Sequence, residues 1–223
     1  MSIKIALEFL KKLEKNNNRE WFAENKSEYD AALKATKAVF NEMYLKMQVH
    51  DELDKMKLFR IYRDVRFSKN KLPYKNNFGG TFHRVKPRLR GGYYVQIQPG
   101  NNFIACGFWD PNKEDLFRIR KEFEMDDDEI NTIINDSKFK SVWGELQGDE
   151  LKTAPRNFDK DHEAINLIKK KQYIFTKQFT DVEVCKDDFA QKVNDYFKTI
   201  RPFFDYMSDV LTTDLNGVSL IKD

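Results

Sequence analysis

The sequence predicts an α+β domain: a small antiparallel sheet with N-terminal and C-terminal helices packed on it. Three patterns carry that expectation. Apolar residues recur at helical spacing as far as Met47, a period of two with a tight-turn signal occupies the middle, and helical spacing returns towards the C-terminus. With 223 residues, 40% hydrophobic and 34% charged, the chain can bury one substantial core, so a single globular domain over 1–223 is expected. Nineteen Phe and nine Tyr against nine Gly and six Pro point to a regular, tightly packed structure rather than a low-complexity chain.

The elements follow in order. Ser2 is a candidate N-cap for a short helix with Ala6, Phe9, Leu10 and Leu13 on one face. The run "NNN" ends it, and Asn18 can cap a second helix. Phe22, Tyr29, Leu33, Thr36, Phe40, Met43 and Met47 then form one stripe, which predicts a single long helix. From Leu58 to Phe67 the alternation reads as a strand. "YYVQIQ" and "NFIACGFWD" flank "PGNN", where Pro99 and Gly100 suit the centre of a tight turn, so a β-hairpin is expected. Asp110 and Pro111 supply an N-cap and a first-position proline for a helix carrying Leu116, Phe117, Arg120 and Phe123. "KQYIFTKQF" reads as the last strand, and two helices from Asp188 follow, the second started by Pro202.

Several function classes are disfavoured. No stretch approaches the ~20 apolar residues of a membrane span, and the N-terminus lacks a cleavable apolar leader, so a cytoplasmic protein with no membrane partner is expected. Cys106 and Cys185 show no CxxC spacing, and Cys106 sits among strand aromatics as a buried, inert thiol. His50, His83 and His162 form no helical ligand pair, and the acids of "DDDE" and "DKDHE" read as helix starts; neither metal nor cofactor is expected. Trp21, Trp109 and Trp143 read as core. No P-loop, nucleophile elbow or dinucleotide fingerprint occurs, so whether the protein is an enzyme stays open, as does its oligomeric state.

Charge is the informative feature. Between Leu58 and Arg90 stand ten Arg and Lys against Asp64 alone, a local +9 in a chain whose net charge is +3. Such a block suits a cleft for a phosphate or carboxylate, which Arg holds bidentately and Lys holds as a point charge. The candidate ligand-binding residues are Arg60, Arg66, Lys69, Lys71, Tyr74, Lys75 and Arg84. Pro73 stiffens the loop, and Gly79 and Gly80 allow close approach of a partner. As a strand, the segment places Arg63 on the face of Phe59, Ile61, Val65 and Phe67. A guanidinium there needs a counter-charge, either a carboxylate from elsewhere in the chain or an external anion at the mouth of a pocket; the paired reading is taken, and Arg63 and Asp64 are assigned to structural support. Three readings compete with the small anion: a solvated basic loop, a protein-interaction surface, and nucleic-acid binding with Tyr74, Phe78 and Phe82 as stacking platforms.

Five ordered motifs, "NNREWF", "KLPYKNNFG", "GGYYVQI", "IRKEF" and "LKTAPRNFDKDH", resemble the family of conserved hypothetical proteins called domain of unknown function 2461. The resemblance spans nearly the whole chain. It implies one domain and brings no activity with it.

Overall fold

Helix α1 (Lys4–Lys15) buries Ala6, Leu7, Phe9, Leu10 and Leu13, the stripe the spacing predicts. The structure, a computed structural model, describes residues 3–67 and 69–221, so a cap at Ser2 lies outside the described residues. Asn18 does cap: its side chain accepts the Trp21 amide at the head of α2 (Arg19–Glu24). The predicted long helix is broken, however, and α3 (Lys26–Met47) begins anew after Asn25. At φ −103° and ψ 22° Asn25 leaves helical geometry, and its Nδ2 donates to the Trp21 carbonyl at 2.8 Å. A short amide side chain competing for backbone partners thus ends the first piece, although the apolar stripe runs on.

Strands β1 (Leu53–Leu58), β2 (Phe78–Arg84), β3 (Gly92–Ile97), β4 (Asn102–Phe108) and β5 (Tyr173–Phe179) form one antiparallel sheet in sequence order. The β3–β4 hairpin turns at Pro99-Gly100 as predicted, with Gly100 at φ 71° and the Asn101 amide bonded to the Gln98 carbonyl at 2.9 Å. Between β4 and β5 lie α4 (Lys113–Met125), α5 (Asp128–Asn135), α6 (Ser137–Trp143) and α7 (Ile165–Ile168); α8 (Asp181–Val184), α9 (Phe189–Thr199) and α10 (Arg201–Thr212) follow β5. The N-cap of α4 is Asn112 rather than Asp110, its side chain accepting the Asp115 amide at 2.7 Å. Trp143 is buried and its Nε1 donates to Thr199 Oγ1, but Trp109 is 48% exposed and Trp21 only half-buried, against the expectation that all three are core.

The chain falls into two compact units, each assembled from separate segments. One holds the chain up to Phe82, Tyr94–Ile104 and Gln178–Asp195; the other holds His83–Tyr93, Ala105–Lys177 and the chain from Tyr196. In the first unit α3 lies against α1 and β1, and Phe40 stacks on Phe82 with centroids 6.0 Å apart. In the second, Tyr93 meets Phe197 and Phe204, while Phe175 meets Phe203. Each such ring removed from water contributes about 2–3 kcal/mol. Gly107 serves this packing: at φ 133° a Cβ there would lie 2.1 Å from the Tyr173 carbonyl oxygen.

The strand expected from Leu58 to Phe67 is displaced. Leu58 is the last residue of β1, and the chain beyond it forms an irregular arm. Three backbone bonds of 2.8 Å, Phe59 N–H to the Gly79 carbonyl, Lys75 N–H to Ile61 and Arg63 N–H to Pro73, hold 59–63 against 73–79. Pro73 has no N–H to return the bond, so the ladder stays incomplete. Tyr74 bridges Tyr62 in this ladder, and on its other edge Asn17 pairs with it, the Asn17 amide accepting the Tyr74 N–H at 3.1 Å and donating to the Tyr74 carbonyl at 3.0 Å.

Candidate functional site

The arm, with β2 and β3 of the first unit, encloses a cleft of about 370 Å3. Its walls include Arg60, Arg63 and Lys75, together with Phe59, Asn76, Asn77, Gly79 and Tyr94, and no carboxylate. The Lys75 ammonium lies 5.7 Å from the centroid of the Phe59 ring. Burial, then the charges of Arg63 and Arg60, hold its pKa below the usual lysine range. Arg63 Nε is buried with no hydrogen-bond partner among the described residues. The carboxylate expected to pair with Arg63 is therefore missing from its side chain's contacts.

Asp64 goes instead to Arg66, which grips it through Nε at 3.0 Å and Nη2 at 2.7 Å. Hydrogen bonding from Arg66 lowers the Asp64 pKa and raises that of Arg66 in turn. Arg66 is thereby neutralised in an exposed pair, while Lys69 is exposed and lies outside the cleft wall. At the cleft wall, Gly79 keeps its backbone open to Tyr94, since a Cβ would come within 2.6 Å of the Tyr94 hydroxyl oxygen. Gly80 does the same for Phe40, with a Cβ 2.7 Å from that ring. These glycines thus admit rings of the protein itself, not an outside partner. The Tyr94 hydroxyl and the Asn77 amide both donate to Gln96 Oε1 at 3.0 Å, which fixes that wall.

Arg63 also lines a second cleft, of about 440 Å3, with Arg19, Tyr62, Val65, Lys71, Pro73 and Tyr74. Lys71 Nζ donates to the Val65 carbonyl at 3.0 Å. Tyr74 is 5% exposed and stacks on Phe22 with centroids 4.0 Å apart, whereas Tyr62 presents 46% of its surface.

Arg84 stands apart. It belongs to the second unit, is 1% exposed, and its Nη1 donates to the Arg90 carbonyl at 2.7 Å and to Ser208 Oγ at 3.2 Å. Its Nη2 reaches Asp205 at 3.2 Å, and its guanidinium lies 5.0 Å from the centroid of the Phe204 ring. Those bonds make it a structural cation. The basic block therefore divides, with Arg60 to Lys75 in one unit and Arg84 to Arg90 in the other. Charge counting missed Arg19, Asn76, Asn77 and Tyr94, because their approach to the arm depends on the fold; only the neighbouring asparagines of "NNREWF" and "YKNNFG" hint at it.

Cys106 is buried and its thiol pKa is pushed up by burial, as expected of an inert sulfur. Among the described residues no group of three or more His, Cys, Asp or Glu could hold a metal ion, and no helix is long and apolar enough to cross a membrane. No curated protein and no solved structure matches the chain. A family model described as conserved hypothetical protein (DUF2461) matches residues 5–206, on either side of the arm and through it. By that match over most of its length, the chain belongs to the DUF2461 family.

Proposed function

We propose that the first cleft binds a small anionic ligand through a phosphate or carboxylate group, held by Arg60, Arg63 and Lys75. The observation that supports this reading is a cleft whose three cations, Arg60, Arg63 and Lys75, face no lining carboxylate. Like charges gathered partly out of water destabilise one another, and an anion entering between them removes that cost. The planar guanidinium can grip two oxygens, and Lys75 adds a point charge. Nucleic-acid binding draws less support, since Tyr74, Phe78 and Phe82 are all buried and offer no face to a base.

The test is thermal melting with phosphate- and carboxylate-bearing small molecules against chloride at matched ionic strength. At 100-fold excess over Kd the stabilisation is about 2.7 kcal/mol, or roughly 5–10 °C in Tm for a chain of this length. If no anion moves the melting temperature beyond the chloride control, the reading fails.

A further inference from the structure

The two clefts are not independent, because Arg63 belongs to the walls of both. The second also carries Arg19 and Lys71 and no lining carboxylate. Lys71 spends one donor on the Val65 carbonyl, leaving its other N–H groups available. Arg19 makes no ion pair with any described residue, and its charge is felt by the Tyr74 phenol, whose pKa it lowers against the larger upward effect of burial. Five cations, Arg19, Arg60, Arg63, Lys71 and Lys75, thus face two adjoining spaces, and one phosphate or carboxylate in the first leaves Arg19 and Lys71 unanswered.

We infer that the ligand carries two anionic groups, one in each cleft, with Arg63 between them as a shared contact. This rests on the anion reading of the first cleft and adds the chemical class of the ligand: a bisphosphate, a dicarboxylate or a mixed molecule with its charges at separate ends. The physical basis is effective concentration. Once one group is bound, the second meets its subsite as an intramolecular event, so affinity rises steeply at the spacing that spans the two sites and falls away on either side. Arg63 suits the shared position because its fork offers donors on more than one edge.

The experiment uses alkane α,ω-bisphosphonates of increasing chain length beside methylphosphonate, titrated into the wild-type protein by calorimetry at constant ionic strength. The expected result is an optimum chain length at which the bisphosphonate binds at least about tenfold tighter than methylphosphonate, beyond the statistical factor of about two for its two ends. Arg19→Gln, a change at an exposed residue, should bring that ratio back towards the statistical value, and Lys71→Gln should do the same. Methylphosphonate binding with no chain length exceeding the statistical factor would overturn the two-site inference and leave the anion reading standing. A chain-length optimum that survives both substitutions would place the second group elsewhere and also overturn it. If neither class of phosphonate binds, the anion reading itself falls, and this inference with it.

Discussion

Arg63 and Arg84 carry the same guanidinium in opposite surroundings. Arg84 is closed in by the Arg90 carbonyl, Ser208, Asp205 and the Phe204 ring, whereas Arg63 lines two clefts with no carboxylate in their walls. Removing the first strands buried acceptors, so Arg84→Met should lower stability by about 3 kcal/mol, read from the chemical-denaturation midpoint at unchanged slope. Removing the second strands nothing. At Lys75 the same logic gives a pH dependence. Its folded pKa lies below the ordinary 10.5, lowered by burial and by Arg63 and Arg60, so between the two values the unfolded chain binds the proton more readily. The penalty this imposes on folding is full below the lowered value and is relieved as pH rises to 10.5. A bound anion prefers the ammonium, so affinity changes in the opposite direction. Sulfate, whose charge is constant over this range, should bind more weakly as pH rises through the Lys75 transition, and Lys75→Met should flatten that profile.

The β3–β4 turn and the arm show how differently two connections on one sheet are specified. The turn is local: Pro99 and Gly100 set it, Gly100 sits at φ 71° with open space where a Cβ would project, and alternation on both sides fixes the strands. It was legible for that reason. Gly100→Val should cost about 1–2 kcal/mol through backbone strain alone and leave the phosphate response intact; loss of binding in a folded variant would contradict the separation of turn and site. The arm depends on distant partners. Pro73 leaves its ladder incomplete and Asn17, fifty-seven positions from Tyr74, pairs with its other edge, so its alternating residues read as a regular strand when the regular strand ends at Leu58. The break at Asn25 escaped for a related reason. A side chain bonded to the Trp21 carbonyl decides it, while the apolar stripe continues past it.

Across the whole molecule, the +9 block splits between the two compact units. Its local part, Arg60, Lys71 and Lys75, could be read as a candidate site because those residues share one arm, whereas Arg63 reads there as structural support. Arg84 could not be told from them by sequence, since its partners Asp205 and Ser208 lie 121 and 124 positions away. Arg19 was invisible for the converse reason, reaching the second cleft from α2. The family match assigns membership and no activity, so the anion reading stands on the cleft's own chemistry. Melting curves of the wild type and Arg63→Met, each with and without saturating inorganic phosphate at matched ionic strength, test it most directly. The account predicts that phosphate raises the wild-type Tm by several degrees, and that Arg63→Met melts no lower than wild type without phosphate and gains nothing from it. A wild type that phosphate does not stabilise, or an Arg63→Met protein that responds as fully as wild type, would contradict it.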